Sequence, residues 1–244
     1  MKRLDDILGY KNLKIYQDSR FFSFSLDSII LANYCDIHLR DKKIVDFCSG
    51  NGVVSLIVSR RCNTVIDTVE IQDKLYDLAV ESINYNNLSD RIHPYCMNVL
   101  DFANNPDNNS QYDLVLCNPP YFKNDDNSTK NLSYEKMIAR HEILFNLDDL
   151  CKCSNLILKD NGRLCIVHRT DRLMDIITCF RKYNIEPKKI KFIHEKIDKE
   201  STLVLIEGQK LGKTGLKIDS PLILYDLNNN ITDEYQKLQL EVRK

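Results

Sequence analysis

The chain of 244 residues has no CxxC pair among its nine cysteines, which are odd in number and scattered, often inside apolar runs. That pattern excludes a disulfide framework and the paired spacing of a structural zinc site. Cys35, Cys48, Cys62, Cys96, Cys117, Cys151, Cys153, Cys165 and Cys179 read instead as buried free thiols in a reducing compartment. An excess of charge of one sign is also missing, since 34 Lys and Arg face 35 Asp and Glu for a formal net of −1. Any nucleic-acid surface must therefore be a local basic patch. No run is long and uncharged enough to span a bilayer, and Met1-Lys2-Arg3-Leu4-Asp5-Asp6 lacks the apolar core of a signal peptide. A cytoplasmic protein with no membrane partner is expected. There is no internal repeat, no P-loop and no Ser/His/Asp arrangement, and the five histidines form no ligand cluster with the cysteines, so no metal is expected.

What is present is 43% hydrophobic residues, enough for one large α/β domain. Residues 1–40 read as an N-terminal lid segment, in which Asp27 to Leu39 has helical spacing with Ser25 or Asp27 as cap. Residues 41–244 read as the main domain. Strands are expected at Lys43 to Phe47, Thr64 to Ile71, Arg91 to Met97, Asp113 to Cys117 and Arg163 to His168. Helices are expected between them at Val53 to Arg60, Lys74 to Asn86 and Asp148 to Lys159, the last closed by Asn161-Gly162. A helix Asp171 to Tyr183 and two strands, Lys189 to His194 and Thr202 to Glu207, complete the pattern. The alternation predicts a mostly parallel seven-stranded sheet with helices on both faces. The connection Glu195 to Ser201 is too short for a crossover, so the final strand is expected to run antiparallel.

The first core strand ends in Asp46-Phe47-Cys48-Ser49-Gly50-Asn51-Gly52, and Gly50 and Gly52 let backbone approach a ligand at the carboxyl edge of the sheet. Alone, Gly50-x-Gly52-x-x-Ser55 with Glu70 also fits a degenerate dinucleotide fingerprint. Asp46 argues against that, because a carboxylate there would repel a pyrophosphate but meet the cationic amino-acid end of S-adenosylmethionine. Glu70 would accept both ribose hydroxyls. Asn98, or alternatively Asp101, would bind the adenine edge, with Val99 or Ile71 on its face; Cys48 lies in the same turn.

The fourth core strand runs straight into Asn118-Pro119-Pro120-Tyr121-Phe122. A proline-rich turn after a strand is common, but this one falls beside the cofactor turn and carries an amide and an aromatic ring. An exocyclic adenine amine is a poor nucleophile. If the Asn118 side-chain oxygen and the Pro119 carbonyl each accept one of its N–H groups, its lone pair is aimed at a sulfonium methyl. Proline fixes φ and offers a carbonyl without a competing donor, and Tyr121 offers a stacking face worth roughly 1–3 kcal/mol per base.

With these motifs the chain resembles the class I Asn-Pro-Pro-Tyr amino-methyltransferases, and in particular the valine-tRNA adenosine-37 N6-methyltransferases. The resemblance is carried by Phe22 to Ala32, Asp46 to Gly52, Asn118 to Tyr121, Ala139-Arg140-His141-Glu142, and the tail Leu205-Ile206-Glu207-Gly208 through Gly215-Leu216 to Pro221-Leu222. It implies a Rossmann-like fold, S-adenosylmethionine as cofactor and tRNA as partner; separately, a monomer is expected. The resemblance also implies that Asp46, Gly50, Glu70 and the adenine-edge residue hold the cofactor, and that Asn118, Pro119 and Tyr121 hold the base. Pro120, Phe122 and Arg140 are assigned to the substrate side. One departure is Asn98, where such enzymes often carry Asp. The same tetrapeptide serves protein glutamine N5-methyltransferases, and an inactive RNA-binding protein of this fold is a further alternative. Between Arg181 and Lys217 ten cationic side chains stand against five acidic ones, so Lys188, Lys189 and Lys191 are expected to contact phosphates.

Overall fold

In the computed structural model, which describes residues 1–7, 10–21, 24–119 and 145–239, a ribbon precedes the alternating units. It pairs β1 (Lys2–Asp6) with β2 (Lys14–Asp18) antiparallel. Then follow α1 (Leu26–Tyr34), β3 (Lys43–Phe47), α2 (Val53–Ser59), β4 (Val65–Glu70), α3 (Asp73–Tyr85), β5 (Ile92–Cys96), α4 (Val99–Asn104) and β6 (Tyr112–Cys117). After the undescribed stretch come α5 (Leu147–Ile157), β7 (Leu158–Arg169), α6 (Leu173–Lys182), β8 (Ile185–Lys196), β9 (Ser201–Lys210), β10 (Lys217–Ile218), β11 (Leu222–Tyr225) and α7 (Asp233–Gln239).

Seven strands run across the sheet in the order β8-β9-β7-β6-β3-β4-β5, all parallel except β9, which is antiparallel to both neighbours. The reversed strand follows from the short link after Lys196, which leaves no room for a crossover helix. Two short strands absent from the sequence expectation, β10 and β11, extend the sheet to nine by pairing parallel with β8. At two and four residues they carry too little periodicity to be read from sequence.

Strand alternation sorts the core into two layers. Ile44, Ile66, Leu114 and Leu116 pack with Ile30 and Leu31 of α1 and Leu56 and Ile57 of α2. Val45, Phe47, Val69, Val115 and Cys117 pack on the other face with Phe102 of α4, Leu150 and Ile157 of α5, and Ile176 and Phe180 of α6. Burial on both faces explains why the central strands are nearly continuous apolar runs.

Several boundaries differ from expectation: β7, β8 and β9 each extend beyond the expected strands at both ends, and two helices stop early. α1 stops at Tyr34 because Arg61 takes its terminal carbonyls, reaching Ala32 O and, at 2.9 Å, Cys35 O. Asp41 Oδ2 then accepts the His38 N–H at 2.7 Å and holds the chain in a turn. α5 ends at Ile157 rather than at the Asn161-Gly162 pair, which turns a short excursion inside β7 with Asn161 at φ 63°. Glycine is required there, since a Cβ on Gly162 would lie 2.8 Å from the Lys159 carbonyl oxygen.

β2 and α1 of the N-terminal segment make direct contacts with the rest of the domain. Backbone N–H groups of Lys14 and Tyr16 in β2 donate to Asn86 Oδ1 and Ser82 Oγ at 3.0 and 2.9 Å, on and just beyond α3. Ile29 to Ala32 of α1 are buried in the core.

Candidate active site

The turn after β3 is built from three left-handed residues, Cys48 at φ 55°, Gly50 at 56° and Gly52 at 84°. For Cys48 that conformation costs roughly 1–2 kcal/mol, a strain the sequence did not announce because no glycine marks it. A Cβ at Gly50 would meet no protein atom within 4 Å, so the backbone there faces open space. The turn is held to β4 by Ser49 N–H to Val69 O at 3.1 Å, and to α2 by Gly52 O accepting from Leu56 N–H at 2.9 Å.

Two carboxylates flank it. Asp46 is 1% exposed, and its Oδ2 accepts the Ser55 hydroxyl at 2.9 Å. Burial pushes its pKa up to about 7, against the opposing pull of the Ser55 hydrogen bonds and with the Glu70 charge adding to the rise. Glu70, at the end of β4, accepts Gly50 N–H on Oε2 and Gln72 N–H on Oε1, both at 2.8 Å. It thus shapes the glycine turn as well as presenting charge, a role that sequence reading missed. Both of its oxygens stand at the carboxyl end of β4, next to the glycine turn.

At the next strand end, Asn98 caps α4 by accepting Leu100 N–H at 2.8 Å, so what it can offer a base edge is its amide N–H. Val99 is 6% exposed and belongs to the core, whereas Ile71 is 40% exposed beside Glu70 and has free apolar surface. Asp101 is exposed on α4.

Phe47 stands in register with Cys117, so β6 delivers Asn118 directly beside the β3 turn, one strand spacing of about 4.8 Å away. The Asn118 amide nitrogen donates to Ser28 Oγ of α1 at 2.8 Å. Pro119 follows, lining a cavity of about 320 Å³ together with Phe145, Leu147, Leu150, His168 and Arg172. His168 Nδ1 accepts the Arg169 N–H at 2.8 Å, which places a neutral ring's proton on Nε2. Burial, helped by the Arg172 charge, lowers its pKa to about 4 and keeps it neutral near pH 7.

Residues 24–194 match the methyltransferase small domain family. The chain belongs to that family. Relatives include tRNA1(Val) (adenine(37)-N6)-methyltransferases of Flavobacterium psychrophilum, 25% identical over 84% of this chain and 87% of that protein, and of Flavobacterium johnsoniae, 22% identical over 95% and 97%. The protein of that name from Aliivibrio salmonicida is 28% identical over 75% of each chain. Among solved structures, a predicted O-methyltransferase from Agrobacterium tumefaciens superposes with a TM-score of 0.69 at 18% identity, covering 88% of this chain and 95% of that one. Pyrococcus horikoshii TYW2 in complex with MeSAdo gives 0.60 at 16%, covering 86% and 72%. The mostly parallel sheet expected from the alternation is observed, and the methyltransferase fold that the resemblance implied is the fold of the chain.

Within this methyltransferase domain the candidate residues Asp46, Cys48, Gly50, Gly52, Glu70, Ile71, Asn98, Val99, Asn118 and Pro119 converge on one carboxyl edge of the sheet. Pro120, Tyr121, Phe122 and Arg140 lie outside the described residues. Lys188, Lys189 and Lys191 are not part of that edge, since they sit in the first seven residues of the twelve-residue β8. Lys189 pairs with Asp36 at 3.0 Å and Asp219 at 3.6 Å, and Lys191 with Glu234 at 2.9 Å, while Lys188 binds the Lys213 carbonyl at 2.9 Å. Two of the three lysines are thus paired with acids that lie far from them in sequence.

Proposed function

We propose that the chain transfers a methyl group from S-adenosylmethionine to the exocyclic N6 of an adenine in tRNA, at position 37 of a valine tRNA. The observation that carries the reading is the placement of Asn118 and Pro119 one strand away from a glycine turn flanked by Asp46 and Glu70. The names of the relatives support the acceptor.

The residues present suit the cofactor. Asp46 offers a carboxylate for an ammonium, the space over Gly50 admits close approach, the Glu70 carboxylate at the end of β4 is an acceptor suited to ribose hydroxyls, and Ile71 gives a base an apolar face. When bound, S-adenosylmethionine supplies an electrophilic methyl on a sulfonium. An ammonium close to Asp46 favours the ionised acid and reverses the effect of its burial.

On the acceptor side, the cavity beside Pro119 receives the extruded adenine, whose unstacking costs a few kcal/mol, less for a base already in a loop. Asn118 Oδ1 and the Pro119 carbonyl accept the two amine N–H groups, which frees the nitrogen lone pair from the ring and points it along the displacement line. The new N–C bond forms as the S–C bond breaks, and the extra amine proton leaves to water, since neither acceptor is a base. Neutral His168 adds no charge to the pocket wall.

Nucleoside mass spectrometry of tRNA incubated with the protein and methyl-labelled cofactor tests this. Labelled N6-methyladenosine in valine tRNA is the expected result. Label on protein glutamine, or no label at all, would overturn it.

A further inference from the structure

We infer that Ser28 is a positioning residue for methyl transfer, holding the Asn118 amide by its nitrogen so that its oxygen is left to accept from the substrate amine. The inference rests on the reading of Asn118 as that acceptor. It starts from a contrast among helical hydroxyls. Ser59, Ser82 and Thr178 each donate back to a carbonyl of their own helix, Leu56, Leu78 and Met174, at 2.7, 2.7 and 2.8 Å. This is the ordinary way a helical hydroxyl satisfies itself. Ser28, 5% exposed in the first turn of α1, accepts at its oxygen from the amide of a residue ninety positions away, a cross-fold role that Ser82 adds to its own carbonyl bond by accepting the Tyr16 N–H.

The consequence is chemical. A primary amide offers a donor and an acceptor that exchange places when χ2 turns by half a circle, and that torsion has a broad, roughly two-fold profile. With the nitrogen turned outward, Asn118 would present N–H to the substrate N–H, a repulsive pairing. Accepting from Nδ2 at 2.8 Å, Ser28 ties the nitrogen to α1 and leaves Oδ1 for the substrate. The tether is anchored because Ile29, Ile30, Leu31 and Ala32 of α1 are buried in the core. The same N-terminal segment grips the cofactor turn, with Asn51 Nδ2 donating to the Tyr16 carbonyl at 3.2 Å.

Ser28→Ala should lower single-turnover kcat by about 3- to 10-fold, the range of one net hydrogen bond, while the Kd values for tRNA and S-adenosylmethionine stay within about twofold. Ser28→Thr should restore most of the rate. In an Asn118→Ala background the serine change should cost nothing further, because there is no amide left to orient. Should Ser28→Ala fail to fold, Ser28→Cys serves, since its thiol fills the site but is a poor acceptor. A slow Asn118→Ala with a parent-rate Ser28→Ala would overturn this inference alone. A parent-rate Asn118→Ala would overturn the reading beneath it. Additive losses in the double variant would reduce Ser28 to a packing residue.

Discussion

Asp46 and Ser55 share a hydrogen bond of 2.9 Å beneath the cofactor turn, and it is made to a carboxyl whose pKa burial has pushed up to about 7. A folded-state pKa above the unfolded value means that the folded chain holds the proton more tightly. The stability this confers is full below about pH 4 and is lost as pH rises to 7. Asp46→Asn keeps an acceptor for Ser55 but cannot ionise. Its melting temperature, without ligand, should match the parent near pH 4, exceed it increasingly up to pH 7 and keep a constant advantage beyond. S-adenosylmethionine affinity of the parent should rise from pH 6 to 8, whereas that of the variant should be weak and flat. Calorimetry at both ends of the range checks this; a melting difference independent of pH would show that Asp46 carries no raised pKa.

The second carboxylate gives a different test, because Glu70 spends one lone pair of each oxygen on the backbone N–H groups of Gly50 and Gln72. Glutamine has one carbonyl oxygen and would turn its NH2 against one of those donors. Glu70→Gln should therefore be no better than Glu70→Ala despite its shape, each weakening S-adenosylmethionine binding by about 1–3 kcal/mol. Parent-like affinity of the glutamine variant in titration calorimetry would remove Glu70 from the site.

The sheet, its reversed strand and the edge that carries the site were legible because they depend on period, connection length and glycine placement, all local in sequence. Asn118 and Glu70 could be named from sequence as candidates, but the side chains that support them could not. Ser28 lies ninety residues from Asn118, and nothing local distinguishes it from Ser59 or Ser82, which bond to their own helices. Lys189 and Lys191 read as phosphate ligands because Asp36, Asp219 and Glu234, which neutralise them, come together only through the fold. Cys48 was grouped with the cofactor turn by position, while its left-handed backbone came only from the coordinates.

Arg163 shows the same limit in the core. It opens a strand in sequence, yet it is 4% exposed and reaches Asp41 Oδ2 and Asp36 O, both at 2.6 Å, with Glu207 3.9 Å away. Burial pushes the Glu207 carboxyl above its ordinary range, and the guanidinium opposes that. Arg163→Met should destabilise by about 3–5 kcal/mol, since it leaves two buried acids uncompensated. Urea unfolding at pH 7 measures the loss; a change under about 1 kcal/mol would mean that the acids are solvated or neutral without it.

The lysines of β8 are expected to act on stability, not on RNA. Lys191 joins Glu234 and the Ser220 carbonyl, and Lys188 joins the Lys213 carbonyl, so both hold the segment after β9 against the sheet. Changing Lys188, Lys189 and Lys191 to Gln together should lower the melting temperature while leaving the salt dependence of tRNA binding unchanged. A slope reduced by about one per lysine would instead make them phosphate ligands.

Asn118 carries the largest expected loss, and its kinetic signature separates catalysis from binding. Its oxygen is proposed to act on one amine as charge develops there, while the rest of the tRNA makes its contacts elsewhere. Asn118→Ala should therefore lower kcat at least about 100-fold, the cost of one preorganised group, with Kd for tRNA and cofactor changed by less than about threefold. Asn118→Asp is the sharper variant. It keeps an acceptor of the same shape but puts a carboxylate beside Ser28, which can donate its hydroxyl to it, so the oxygen presented to the amine survives without an amide to misorient. It should recover part of the rate lost in Asn118→Ala, and that recovery should no longer depend on Ser28 as an acceptor. Single-turnover methylation at saturating tRNA and cofactor reads all of these, and a parent rate in Asn118→Ala would leave the segment after β6 as a turn and nothing more.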